Sequence, residues 1–303
     1  MAETPAPHVI FTESSVEPSL IVDGIVNMGA YKAKQANRTI LIRAVLASFV
    51  FGATTMLAGT VATQTGQAWL GALVFPTALV IVLLLGLELV TSTMGFVPLA
   101  WWRGEARGID VPRSIGVAIG GHIIGCGLFA LVFYATVTEW GRHMDAPLVT
   151  WIIELAEHKT LNYASMGLVA GVGLAVLRGF LCNWLVSMGG VMMMTSRTTG
   201  GKIAAIWLPI FLFFALGWEH SVVNLFVMPT AMLCGAPITF GDWWLWNEIP
   251  VMIGNLLGAS ILTAMGLWLC HRWDVPWHHN NPKHNTYHEA SLHLHDHDAA
   301  VES

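Results

Sequence analysis

Three long stretches of this chain contain no Asp, Glu, Lys or Arg: Ala44 to Leu87, Ser114 to Thr138, and Ile249 to His271. A helix needs roughly 20 apolar residues to cross a bilayer, and each of these stretches is long enough. Over the whole sequence 55% of residues are hydrophobic and 11% are charged, where a soluble domain carries roughly 25% charge. The chain is therefore expected to be an all-α membrane protein with several crossings. Its net charge of −5 gives no case for nucleic acid. Residues 1–20 are acidic and Pro-containing, without the basic and apolar regions of a cleavable signal peptide. The four cysteines sit singly in or beside apolar runs, without metal or redox spacing, and read as small buried hydrophobes.

Residues 1–16 carry no regular pattern. Residues 17–36 alternate at helical spacing, with Leu20, Ile21, Ile25, Met28 and Tyr31 on one side and Lys32 and Lys34 following. Two readings fit: a helix lying on the membrane surface, or one packed on the inner mouth of a bundle. The first span is expected from Thr39 to Val61, with a turn at Gln64–Gln67. The segment 69–102 is too long for one crossing and carries Pro76, Gly86, Glu88, Gly95 and Pro98. It reads as two part-helices joined by an irregular stretch around 86–95, which needs protein or water to satisfy its backbone. Span three follows at Ile115–Val137, then a polar stretch 138–161, then span four at Tyr163–Met193. Two short apolar pieces, Ile203–Leu216 and Val222–Leu233, flank Glu219-His220 and make a second broken span. Pro237–Glu248 reads as a loop with Trp243, Trp244 and Trp246 at an interface. Ile249–Leu269 is the last span.

This counts six crossings, the second and fifth broken. With both termini cytoplasmic, Lys32, Lys34, Arg38, Arg43, Arg103, Arg107, Arg113, Arg197, Lys202, Arg272 and Lys283 fall inside, and only Arg142 and Lys159 outside. That asymmetry obeys the positive-inside rule. The expected organisation is an N-terminal tail with its amphipathic helix (1–36), a transport domain (37–272) and a His-rich tail (273–303), in the inner or plasma membrane.

The two broken segments overlay. Gly86, Glu88, Pro98 and Ala100 fall on Gly217, Glu219, Pro229 and Ala231 at an offset of 131. Gly121-His122-Ile123-Ile124-Gly125 resembles Gly254-Asn255-Leu256-Leu257-Gly258 at an offset of 133. Three spans per half makes the halves inverted, a 3+3 repeat whose interface holds the site in transporters and channels.

His220 is the histidine placed near the midplane on a broken segment. An imidazole titrates near neutral pH and can donate a proton or hydrogen bond to an anion, and the break offers backbone N–H groups and a half-helix N-terminus. The other reading is a neutral histidine satisfied by a neighbouring span. Thr91, Ser92 and Thr93 offer hydroxyls at the other break, and Asn183 an amide inside span four, although such groups often only join helices. Glu88 and Glu219 would repel an anion if ionised in the path. They are expected to be tied to backbone N–H groups of the breaks, or neutral, and with Ser92 and Ser221 to be architecture. Arg178 is expected to reach a helix end or an interface. Lys159, in Glu157-His158-Lys159, either draws anions to the outer mouth or is an ordinary loop lysine. The tail from His278 to Asp298 holds seven histidines. It is a conceivable metal tract or a solvated segment; His-x-His-x-His fixes no geometry. No metal site or cofactor is assigned.

Leu89-Val90-Thr91-Ser92-Thr93, Leu181-Cys182-Asn183-Trp184-Leu185-Val186, Gly217-Trp218-Glu219-His220-Ser221-Val222-Val223-Asn224 and Ile249-Pro250-Val251-Met252-Ile253-Gly254-Asn255 together resemble the formate/nitrite transporter family over residues 17–272. The resemblance implies an aquaporin-like six-span protomer in a homopentamer, with one path per protomer. It also implies that His220 is the central pore histidine, Thr91 its hydrogen-bonding loop threonine, Asn183 the span-four asparagine and Lys159 the outer vestibule lysine. The hydrophobic constrictions then correspond to Phe75, Leu79 and Phe213 on one side and Leu89 and Val90 on the other. Val90 departs from the family's common aromatic, and His122 stands where Asn is frequent and is expected to be structural. The His-rich tail is not a family feature.

The expected function is passage of a small monovalent anion, formate first and nitrite second, proton-linked through His220 in a lipid bilayer. Hydrosulfide, acetate or lactate would suit the same fold. A neutral-solute pore of aquaporin type is opposed by His220. A metal transporter or sensor using the His-rich tail is the rival from another class. No nucleophile or cofactor motif points to an enzyme.

Overall fold

The computed structural model describes residues 15–16 and 18–271; the expectations for residues 1–14 and for the His-rich tail fall outside the described residues. Among the described residues all regular elements are helical, and β-pairing is limited to a single antiparallel bridge between Ser15 and Ser196. In chain order the helices are α1 (Pro18–Lys34), α2 (Asn37–Thr65), α3 (Ala68–Val74), α4 (Thr77–Leu84), α5 (Val90–Trp102), α6 (Asp110–Val137), α7 (Pro147–Ser165), α8 (Leu168–Met193), α9 (Thr199–Ala215), α10 (Ser221–Leu233) and α11 (Phe240–His271). Helices α2, α6, α8 and α11 are long and apolar enough to cross a membrane. The paired α3 and α4, with Pro76 at their junction, and α9 and α10 are shorter apolar helices.

Between apolar helices in lipid there is little hydrophobic drive, so close packing through small residues has to hold them. On α6, Gly121 and Gly125 lie against the Leu41 and Val45 carbonyls of α2; on α11, Gly254 and Gly258 lie against the Val176 and Phe180 carbonyls of α8. A Cβ at any of the four would overlap the facing helix. Helix α11 also contains two π turns, Trp243–Glu248 and Gly258–Met265. Within the second, Ser260 donates to the Met94 carbonyl of α5, 2.7 Å away.

Several boundaries differ from the sequence-based expectation. The stretch read as polar, 138–161, is largely the helix α7, which buries Leu148, Val149, Ile152, Ala156, Lys159, Thr160 and Tyr163 at helical spacing while Thr150, Glu154, His158 and Asn162 are exposed. Span four starts at Leu168 because Gly167, at φ +81°, separates it from α7. The Trp-rich segment is helical from Phe240, started by a capping box between Thr239 and Asp242. The first irregular stretch is shorter than 86–95: α5 begins at Val90, so Thr91, Ser92 and Thr93 occupy its first turn. Helix α1 packs on the bundle. Ile25 and Val26 join Phe96, Leu99, Val191 and Ala264 in one apolar cluster, and Gly29 allows backbone contact with Phe96.

Candidate anion pathway between two broken helices

The two breaks are built the same way. Helix α4 ends in a Schellman turn: Gly86 takes φ +61°, its N–H donates to the Leu83 carbonyl at 3.2 Å, and Leu87 N–H to Val82 at 2.9 Å. Helix α9 ends likewise at Gly217, φ +65°, with Gly217 N–H on Phe214 and Trp218 N–H on Phe213, both at 3.1 Å. Leu89 and His220 then run extended into α5 and α10. Each break therefore turns the chain with a left-handed glycine and restarts a helix four residues later.

Each break carries one buried carboxylate, and both are held by lysines. Glu88 receives Lys32 Nζ of α1 at 2.8 Å on both oxygens, together with the Thr93 hydroxyl. Glu219 receives Lys159 Nζ of α7 at 2.6 Å, Tyr163 Oη at 2.7 Å, Asn224 Nδ2 at 2.9 Å and Asn247 Nδ2 at 3.3 Å. This corrects the expectation that backbone N–H groups hold the two acids. A buried carboxylate needs a charge partner and hydrogen bonds together, and the breaks use their N–H groups elsewhere. Lys159 is correspondingly neither a loop residue nor a free cation: it is buried on α7 and neutralised by Glu219. Arg178 donates to Tyr163 Oη at 2.9 Å and sits over its ring, so it supports the Glu219 network from behind.

His220 caps α10. Its Nδ1 accepts from Val223 N–H at 3.4 Å, and its Nε2 lies 3.3 Å from Thr91 Oγ1. With Nδ1 accepting, the ring hydrogen of a neutral imidazole sits on Nε2 and faces Thr91. The ring is stacked between Phe51 and Phe213, with centroids at 5.4 and 5.8 Å. Thr91 is fixed in turn, because Asn183 Nδ2 donates to its carbonyl at 2.9 Å and to the Asn255 carbonyl at 2.7 Å. His220, Thr91 and Asn183 are thus brought together from three helices. A cavity of about 90 Å³ is lined by Lys159, Trp151, Phe213, Trp218 and His220. A second, of about 160 Å³, is lined by Lys32, Glu88, Leu89, Ser92 and Phe96.

The apolar residues expected at constrictions are all buried. Phe75 meets Phe213 edge-on at 6.0 Å and stacks on Phe214 at 3.8 Å; Leu79 lies by Gly189; Leu89 and Val90 stand at the start of α5. Ser221 donates its hydroxyl to Glu248 at 2.8 Å and its N–H to Asn255 Oδ1 at 3.0 Å. Ser92 Oγ is buried with no partner among the described residues.

Sequence reasoning missed Lys32, Tyr163, Asn224, Asn247, Glu248 and Asn255 as members of these networks. Lys32 was within reach: it precedes Lys159 by 127 positions, close to the 131 that relates the two acids. Glu248 carried no signal: Trp243 Nε1 donates to it at 3.1 Å across the π turn, and the Ser221 hydroxyl arrives from α10.

A helical bundle with membrane-length helices and a pair of matched breaks meeting at a histidine defines a polytopic membrane channel or transporter. The formate/nitrite transporter profile matches residues 19–269, and the chain belongs to that family, whose members are channels and transporters rather than enzymes. A probable formate transporter of Methanothermobacter thermautotrophicus is 32% identical over 201 residues, covering 64% of this chain and 72% of that one. The uncharacterized transporter YrhG of Bacillus subtilis (strain 168) is 31% identical over 199 residues, covering 65% and 69%. Among solved structures, an FNT family ion channel superimposes with a TM-score of 0.70 at 20% identity, over 83% of this chain and 99% of that one. A pentameric formate channel with formate bound superimposes with a TM-score of 0.64 at 23% identity, over 79% and 99%. At these identities the structural likeness speaks for the fold.

Proposed function

We propose that the protein conducts a small monovalent anion, formate first and nitrite second, between the two broken helices and with a proton linked to its passage. The observation that carries this reading is His220 Nε2 facing Thr91 Oγ1 at 3.3 Å, between two apolar aromatic rings and at the edge of the cavity that Lys159 lines. An anion entering that cavity meets Lys159, whose charge is matched by Glu219, and the ring of His220, whose Nε2 is shared with Thr91. Phe75, Leu79 and Phe213 on one side and Leu89 and Val90 on the other make apolar walls, and a bare charge crossing them incurs a large desolvation cost. A proton drawn from the external solution and passed to the anion at the vestibule, by water or by the imidazole with the ring reprotonated from that same water, removes that cost and lets the neutral acid cross. Glu88, Glu219 and Ser221 hold the breaks in shape.

In this reading the chain makes six crossings of the inner or plasma membrane as an inverted 3+3 repeat of aquaporin-like form. The unit is a homopentamer with one path in each protomer, and residues 1–36 and 273–303 are cytoplasmic. The names of the relatives, a probable formate transporter and a pentameric formate channel, support the anion and the assembly. The test is formate uptake by proteoliposomes across a pH series, with nitrite, hydrosulfide, acetate and lactate alongside. Uptake should rise as external pH falls and lose that dependence in His220→Ala. Uptake that is independent of pH and unchanged in the variant would refute proton linkage through His220.

A further inference from the structure

Each broken helix restarts with a first residue whose N–H has no partner within its own helix. At α10 that residue is Ser221, and its N–H is accepted by Asn255 Oδ1 on α11 at 3.0 Å. At α5 it is Val90, and its N–H is accepted by His122 Nε2 on α6 at 3.2 Å. The two pairs coincide under the internal repeat, Val90 with Ser221 and His122 with Asn255. One acceptor is an amide oxygen, and the other is an imidazole nitrogen.

That substitution has a chemical consequence. An amide oxygen accepts in any circumstance, while an imidazole nitrogen accepts only when it carries no proton. For Nε2 of His122 to accept, the ring hydrogen must sit on Nδ1. Ser48 Oγ lies 2.9 Å from Nδ1, and the Ser48 hydroxyl has the Ala44 carbonyl at 2.9 Å to receive its own hydrogen. The chain Nδ1–H to Ser48 and Ser48 to Ala44 therefore selects the one tautomer that can hold Val90. His122 and Ser48 are both fully buried.

We propose that His122 is a positioning residue for the pathway. Locked as the Nδ1–H tautomer, it holds the first turn of α5, and through it Leu89, Val90 and the Thr91 hydroxyl that faces His220. Its role is the one Asn255 performs for α10. The molecule's own repeat then supplies the rescue: Asn at position 122 should serve, and an apolar side chain should not.

Two measurements test this on the full-length protein in liposomes. The first needs no substrate and does not depend on the transport reading above. In solid-state NMR of ¹⁵N-histidine-labelled protein, the signal pair lost in His122→Asn should be that of an Nδ1–H, Nε2-unprotonated ring; an Nε2–H ring would overturn the proposal. The second rests on formate being carried. His122→Leu should lower formate uptake by about tenfold, the scale set by a buried N–H left without its acceptor, and His122→Asn should stay within roughly twofold of the parent. Uptake by the leucine variant at the parent's rate would overturn the proposal, and so would an asparagine variant as impaired as the leucine one. If the leucine variant is not recovered folded, the tautomer measurement and the asparagine variant still decide.

Discussion

The Lys159–Glu219 pair offers the sharpest test of how the second break is held. The Nζ–Oε2 distance is 2.6 Å, and the two side chains are 10% and 1% exposed. Replacing Lys159 by Met leaves a carboxylate with three neutral donors, Tyr163, Asn224 and Asn247, and no cation in contact. Replacing Glu219 by Gln leaves a buried ammonium and turns an amide N–H₂ toward donors. Breaking a buried pair from either side costs about 3–5 kcal/mol, because the remaining charge is uncompensated. Removing both partners leaves no bare charge, and well-packed neutral replacements of buried pairs are often close to neutral in stability. The double variant Lys159→Met/Glu219→Gln should therefore be more stable than either single one, with a coupling of at least about 2 kcal/mol. Thermal or denaturant unfolding of the purified protein, followed by the fluorescence of nearby Trp218 and Trp151, measures the four corners of the cycle. Additivity within about 0.5 kcal/mol is the behaviour of independent sites, and finding it here would refute the claim that the lysine is present to neutralise the break.

Two further outcomes follow from the same geometry. At Gly86 and Gly217 a Cβ would meet nothing within 4 Å, so alanine there costs only the left-handed conformation, about 1–2 kcal/mol at each, and both variants should unfold earlier by similar amounts; a neutral effect would mean that the breaks do not need the αL turn. Asn183→Leu removes the side-chain donor from the Thr91 and Asn255 carbonyls, which keep their helical partners; this should cost about 0.5–1.5 kcal/mol for each hydrogen bond lost, and formate uptake should fall along with stability.

Much of this architecture is legible in the sequence. Charge-free runs announce spanning helices because burying a charge in lipid is costly, and Gly, Glu and Pro recurring at a constant offset mark two breaks of one design. The thermodynamics are local there: a left-handed turn needs glycine wherever it occurs. Helix α7 was harder to see, since its polar outer face hides the buried stripe that holds Lys159 and Tyr163. The lysine partners of Glu88 and Glu219 were harder still. They lie 56 and 60 positions away on helices of a different part of the fold, and no local pattern records which lysine arrives.

The sequence by itself determined that the chain is helical, that it enters a membrane, that it is interrupted twice at matched places, and that His220 and Leu89 occupy corresponding positions in the two halves. Those properties follow from side-chain hydrophobicity and backbone steric limits, which act over a few residues. Only the tertiary structure decided the pairing: Lys32 with Glu88, Lys159 with Glu219, His220 with Thr91, and His122 standing in for an asparagine beneath Val90. Desolvated polar groups must find partners wherever the packed helices bring them, and that meeting is a property of the packing rather than of any one stretch of chain.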